Sequence, residues 1–170
     1  MMYPFIFINC LDVVLHIEGG YSNHPSDSGG ATYKGITQGA YDAYRLKKGL
    51  PLQSVRLMSD DEMKDIYFTE YWSPMNLSGI KSEAAVLELF DMGVNAGTRT
   101  AIKLAQKLVG AFADGIIGYE TTELINTFPA SFTELYKANR KMYYIALARR
   151  KPELKVFLKG WLARVDKCRI

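Results

Sequence analysis

Two cysteines, Cys10 and Cys168, and two histidines, His16 and His24, are all that the chain offers to soft metals or disulfides. That is too few for a disulfide framework or a zinc site. Buried free thiols are expected, with no metal and no cofactor. No apolar run reaches the roughly 20 residues that span a bilayer. No lysine or arginine precedes Lys34. The apolar opening MMYPFIFINCLDVVLHIEGG therefore lacks the basic start of a secretory signal. Asp12 interrupts it, and no small-residue cleavage site follows. It reads as the first helix of the fold, so action outside the cytoplasm requires another route of export.

What is present is ordinary globular material. The 170 residues are 48% hydrophobic and 23% charged, which fits one domain, or one domain with a small lobe, and excludes disorder and low complexity. Charge is uneven. Residues 137–170 hold 11 Lys and Arg against Glu153 and Asp166, whereas residues 1–136 hold 10 basic and 16 acidic residues. A basic end attracts polyanions such as nucleic acid, acidic lipid or an anionic cell wall; a solvated helix face accounts for it equally well. No nucleic-acid reading motif accompanies it, so no nucleic-acid partner is expected.

The punctuation predicts helices. Pro4 suits a first turn, and Phe7, Leu11, Val14 and Glu18 form one stripe at helical spacing. Gly19-Gly20 ends that helix. Residues 20–36, rich in Gly, Ser, Asn and Pro, read as turns and short strands. Thr37 caps a second helix, and Ser59 with Glu62 forms a capping-box pattern for a third. Trp72-Ser73-Pro74 reads as a break. VLELFDMGV after Ser82 is apolar on most faces, the mark of a central helix. Ser131 and Glu134 repeat the capping box before a long helix closed by Pro152. The last helix is expected to start at Pro152 and to turn Leu154, Phe157, Leu158, Trp161, Leu162 and Val165 inward. The fold class is mainly α, with one small β or turn element around residues 20–36.

The segment EGGYSNHPSDSGGATYKGIT carries the chemistry. Glu18 sits at the last turn of its helix and on the apolar stripe. Desolvation and the negative end of the helix dipole both disfavour its charged form, the condition a general acid needs. A Glu that ends the stripe and turns to solvent is the plainer alternative. Nine positions later, Asp27 lies in a Pro-Ser-Asp-Ser-Gly-Gly turn. Its side chain either bonds nearby backbone N–H groups or stays ionised beside water. A protonated and an ionised carboxyl on either side of a cleft are what glycoside hydrolysis requires. Thr32 and Tyr33 follow, able to position a water or a sugar hydroxyl.

These residues resemble the signature of the glycoside hydrolase 108 family of N-acetylmuramidases, which includes phage endolysins and proteins labelled secretion activators. The match runs over Glu18 to Tyr21, then Pro25, Asp27, Gly29, Gly30, Thr32, Gly35, Ile36 and Thr37. The second half resembles the family's predicted peptidoglycan-binding partner region, at Phe90 to Gly97, Asp114 to Gly118, and Gly160-Trp161 with Arg164. The resemblance implies a lysozyme-like fold. It implies a muramidase region over residues 1–95 and a helical wall-binding region over 96–170 in the same globule. It also implies hydrolysis of the β-1,4 bond between N-acetylmuramic acid and N-acetylglucosamine, for lysis or for opening the wall during secretion. Glu18 takes the place of the catalytic glutamate. The step to Asp27 is similar to that of phage-type lysozymes, where a Thr stands at plus six. Here plus six is Tyr33 and plus five Thr32, so either one is the third catalytic candidate. The implied partner is the peptidoglycan glycan strand; a monomer is expected. The implied place of action is the cell wall, reached through a holin or another export route. The alternative is a non-catalytic wall-binding or secretion-activating protein that retains the fold.

Tyr21, His24, Trp72 and Asn95 complete the candidate set as substrate-binding residues. The ring face of Tyr21 or Trp72 suits the apolar face of a pyranose; Trp72, shortly before a proline, fits the core as well. Asn95 suits an N-acetyl carbonyl, or else a helix C-cap with Gly97. His24 is placed to affect pH dependence. Trp161 is expected in the core.

Overall fold

The computed structural model describes residues 2–22 and 31–169. Helix α1 (Phe5–Glu18) follows Pro4 and ends where Gly19 turns to φ 79°. It buries Phe7, Cys10, Leu11 and Val14, one stripe at steps of three, one and three. Three two-residue strands come next: β1 (Tyr21–Ser22), β2 (Thr32–Tyr33) and β3 (Ile36–Thr37). They form an antiparallel sheet in that order, with Tyr33 opposite both Tyr21 and Ile36. Helix α2 (Gln38–Lys47) starts at Thr37, whose hydroxyl accepts from the N–H of Ala40.

Helix α3 (Asp60–Tyr67) opens on the expected capping box. The Ser59 hydroxyl accepts from the Glu62 N–H at 3.2 Å, and the Glu62 carboxylate accepts from the Ser59 N–H at 3.0 Å. The same carboxylate holds Arg45 and the hydroxyl of Tyr41. Burial opposes the charge of Glu62, but these donors and the guanidinium outweigh it and lower its pKa. A carboxylate whose folded pKa is depressed stabilises the fold above its unfolded value, and that contribution is lost as pH falls. We expect Glu62→Ala to cost about 2–3 kcal/mol near neutrality, because buried Arg45 loses its carboxylate partner and α3 its cap. The penalty should shrink in melts run below about pH 4, and a penalty that persists unchanged there would show that the charge is not what matters.

Trp72-Ser73-Pro74 does not break the chain as expected. The backbone stays helical through a π-helical turn (Phe68–Trp72) into the single turn α4 (Ser73–Met75). Proline lacks an N–H and crowds the carbonyl four residues back, and widening the preceding turn relieves both. Helix α5 (Glu83–Ala96) is the central one: residues 85–93 are all buried. It packs between α1, α6 (Thr98–Val109) and α8 (Phe132–Arg150). Helix α7 (Tyr119–Thr127), which the sequence pattern did not announce, follows Gly118. Ser131 precedes α8 but makes no side-chain cap, so the second capping box does not form. Pro152 opens a 3₁₀ segment, Pro152–Phe157, and the last helix α9 starts only at Leu158 and runs to Lys167. Phe157, expected inward, is 54% exposed, while Val165 is buried. A 3₁₀ turn has three residues per turn, so the inward stripe drawn at 3.6 does not carry through it.

One hydrophobic cluster runs from α1 through α5 to α9. Cys10 and Cys168 are both buried and free, and burial pushes the Cys10 thiol up to about 12. Among the described residues no group of His, Cys, Asp and Glu is arranged to hold a metal, and no helix is long and apolar enough to cross a membrane.

Candidate active site

Glu18 is the final residue of α1, and its side chain is 20% exposed. The turn between β2 and β3 lies directly against it. Lys34 and Gly35 both adopt positive φ there, 48° and 76°. A Cβ on Gly35 would stand 2.5 Å from the Tyr67 hydroxyl and 3.0 Å from the Glu18 carboxyl carbon. The position therefore needs glycine twice over, for its backbone and for its approach to the carboxyl group. Tyr67, at the end of α3, locks the turn by donating its hydroxyl to the Lys34 carbonyl at 2.9 Å. Burial, then the negative charge of Glu18, raise the pKa of this phenol, so it remains a protonated donor.

Gly35→Ala is accordingly expected to destabilise by about 2–3 kcal/mol. Left-handed backbone costs an L-residue about 1–2 kcal/mol, and the displaced Tyr67 hydroxyl adds about 1 kcal/mol more. Adding Tyr67→Phe should recover part of the loss, which thermal melts of the two single variants and the double would show. Strict additivity would mean that the two groups do not meet.

From the other side comes Arg164 of α9. Its Nη1 donates to Glu18 Oε1 at 2.6 Å, and its Nε donates to Asp91 Oδ1 at 3.0 Å. Asp91 lies on α5, fully buried, and its second oxygen accepts from Arg140 of α8. Arg140 also pairs with Glu88, whose other oxygen lies 3.4 Å from Lys137 Nζ. A line of alternating charge thus runs from the surface carboxyl at Glu18 into the core. Burial disfavours the charge on Arg164, but Asp91 and Glu18 outweigh it and raise its pKa further. Oε1 of Glu18 is fixed by the guanidinium, and its Oε2 carries no hydrogen bond among the described residues.

Of the residues singled out from the sequence, the structure gathers Glu18, Thr32, Tyr33 and Tyr21 at one end of the molecule, on α1 and the small sheet. Thr32 and Tyr33 are half-buried on β2; Lys34 Nζ lies 5.3 Å from the Tyr33 ring centroid. Tyr21 is 41% exposed on β1, with the Arg56 guanidinium 5.0 Å from its ring centroid. Asp27 and His24 lie outside the described residues. Trp72 is a correction: it is 4% exposed and wedged edge-on between Phe7 and Phe90 at 5.3 and 5.2 Å. It serves the core, and no sugar can reach its face. Asn95 sits inside α5, one residue short of the helix end, and is not its C-cap. Its amide donates to the Tyr144 hydroxyl at 2.5 Å. Trp161 is half-buried and stacks on Tyr144 with centroids 5.1 Å apart.

Arg164 and Asp91 both fall within motifs of the resemblance that carry no assigned role in the sequence, and Arg140 and Tyr67 stand outside those motifs. A signal existed. Glu88 and Asp91 interrupt a helix apolar on most faces, and charges buried there must find partners.

A helical globule with a glutamate at the end of its first helix, covered by a small sheet, defines a lysozyme-like protein. The chain belongs to the glycosyl hydrolase 108 family, whose model matches residues 11–97. A second model, the Predicted Peptidoglycan domain, matches residues 100–166. Among solved structures it is similar to SagA of Brucella abortus, at 29% identity and a TM-score of 0.77, covering 95% of this chain and 90% of that one. Comparison with the curated proteins gives no match. The two family regions share one core, and Arg164 of the second reaches Glu18 of the first.

Proposed function

We propose that the protein is an N-acetylmuramidase that cleaves the β-1,4 bond between N-acetylmuramic acid and N-acetylglucosamine in peptidoglycan, using Glu18 as proton donor. The observation that carries this reading is the one-sided anchoring of Glu18. A general acid must present one oxygen to the glycosidic oxygen in a fixed direction. Arg164 takes Oε1, and among the described residues no group bonds Oε2, which is proposed to face the substrate. Proton transfer from Oε2 to the bridging oxygen breaks the bond to the muramic anomeric carbon. Water then adds at that carbon and gives up a proton to a carboxylate of the site, which restores the starting protonation; Asp27 is proposed as the carboxylate that orients the water or stabilises the positive charge at the ring. Thr32 or Tyr33, on the strand that leads into the Gly35 turn beside Glu18, is proposed to position the water or a sugar hydroxyl. The exposed ring of Tyr21 suits a pyranose face. The site lies in the region of the chain that matches the hydrolase family, and the region beyond it supports peptidoglycan as the polymer bound.

Digestion of purified peptidoglycan tests the reading through the ends it makes. New reducing termini should be N-acetylmuramic acid. Reducing N-acetylglucosamine termini would indicate the other bond, and no release of fragments would favour the wall-binding alternative. In either case the protein acts at the cell wall, in lysis or in opening the wall for export.

The basic end of the chain contributes less free charge than its composition suggests. Arg140, Arg164 and Lys137 are committed to Glu88, Asp91 and Glu18, and Lys141 pairs with Asp166 at 2.5 Å. Arg149, Arg150, Lys151, Lys155 and Lys159 stay exposed around the corner between α8 and α9. Neutralising three or more of these should reduce co-sedimentation with insoluble peptidoglycan. Raising salt should reproduce the loss in the unaltered protein, because the Debye length shrinks from about 10 Å at 0.1 M to about 3 Å at 1 M. Equal binding under all conditions would assign affinity to the exposed ring of Tyr21 and the site around it instead.

A further inference from the structure

A cavity of about 360 Å³ opens beside the site, between α2 and the π-helical turn. Gly35 and Tyr71 belong to both. Gly35 lines the cavity and presses on the Glu18 carboxyl, and Tyr71 lines the cavity within reach of the Glu18 charge. Buried Ile36 and Ile66 form the floor, with Ala40 and Ala43 along one wall. Lys47 and Glu70 also line it; both side chains are more than half exposed, and they meet only loosely, at 3.5 Å. The Tyr71 hydroxyl has no hydrogen-bond partner among the described residues.

We propose that this cavity seats the peptide stem carried by the muramic acid lactyl group, so that the protein reads the stem as well as the sugar. The inference rests on the muramidase reading above. A glycan strand stripped of its stems offers acetamido methyls and one lactyl carboxylate per muramic acid, but no cation and no second carboxylate for the Lys47 and Glu70 pair. The stem combines alanine methyls with further carboxylates and, in chains built on a diamino acid, a free ammonium. A carboxylate suits Lys47 and an ammonium suits Glu70, and an exposed pair at 3.5 Å is given up at little cost. The reach also fits. Glu18 acts at the anomeric oxygen of the muramic sugar, and the lactyl group leaves the same ring. The stem therefore starts within one sugar width of Gly35. The π-helical turn is what aims Tyr71 and Glu70 at this space, and such turns recur where a helix has been adapted to a site.

The test compares glycan strands carrying stems with strands stripped of them by an amidase, using the full chain and Ala43→Phe. Ala43 is exposed on α2, lines the cavity and takes no part in the proposed chemistry. The unaltered protein should show a KM at least fivefold lower on stemmed strands. Ala43→Phe should erase that difference and leave cleavage of stripped strands unchanged. Lys47→Glu should act in the same direction by repelling the stem carboxylates. A KM that is equal on both strands, or an Ala43→Phe effect of equal size on both, overturns the proposal while leaving the hydrolase reading intact. Such a result would assign the cavity to a sugar.

A binding arm separates the two ideas. Calorimetry on the Glu18→Gln variant compares the disaccharide with the disaccharide tetrapeptide. If no strand is cleaved, yet the stem adds fivefold affinity that Ala43→Phe removes, the hydrolase reading fails and the stem site stands. If the stem adds no affinity, the stem site falls.

Discussion

Glu18→Gln should lower hydrolysis of permeabilised cells or purified peptidoglycan by at least ~10²–10⁴, the range set by loss of a general acid. The fold should survive. A glutamine carbonyl can still accept from Arg164 Nη1 in the place of Oε1, and Asp91 continues to neutralise the guanidinium. The residual amide has no proton acidic enough for the glycosidic oxygen, so the rate falls while wall binding persists. Turbidity decay measures the first and co-sedimentation the second. A variant that clears cells as fast as the unaltered protein would remove Glu18 from the chemistry. It would leave the Arg164 bridge as a fastening between the end of α1 and α9.

The largest stability effect is expected at Arg140. It is fully buried and carries two carboxylates, Glu88 and Asp91, from successive turns of α5. Burial disfavours its charge, yet the two acids hold its pKa above the ordinary arginine value. For Glu88 burial prevails and its pKa is raised despite Arg140 and Lys137. Arg140→Met keeps most of the volume, leaves buried Glu88 with only Lys137 at 3.4 Å and takes from Asp91 one of its two guanidinium partners. Breaking a buried pair in this way costs about 3–5 kcal/mol, which for a chain of this size lowers Tm by about 6–20 °C. Adding Glu88→Leu should restore part of it, since Asp91 keeps Arg164 as a partner and Glu88 no longer needs one. A loss below about 1 kcal/mol in the single variant would mean that water or rearrangement satisfies the acids.

Much of the fold was legible before any coordinates. The stripe through Phe7, Leu11 and Val14, the Thr37 cap, the Ser59 and Glu62 box, and the central helix after Ser82 all depend on neighbours three or four residues apart. Where the reading failed, the deciding partner was elsewhere. Ser131 fits the capping box in sequence, but its backbone enters α8 already helical, at φ −76° and ψ −1°, so the hydroxyl cannot turn back to cap it. Trp72 precedes a proline, and its sequence neighbours suit the cleft as well as the core. Whether an aromatic ring faces sugar or core depends on what packs opposite it, here Phe7 from α1 and Phe90 from α5.

The candidate site divides along the same line. Sequence alone determined the position of Glu18 at a helix end, the glycine-rich segment after it, and the buried character of the helix that carries Glu88 and Asp91. These follow from periodicity, capping and the cost of placing charge among apolar residues. Only the tertiary structure decided which cation meets which acid. Arg164 stands 146 positions from Glu18, and Arg140 stands 49 from Asp91. Local preference acts over one or two helical turns, whereas a guanidinium finds its carboxylate through the packing of α1, α5, α8 and α9 around one core. The free energy that brings those helices together is mostly apolar burial, which is blind to the identity of charges. The pairing of Glu18 with Arg164 is therefore a consequence of the assembled fold.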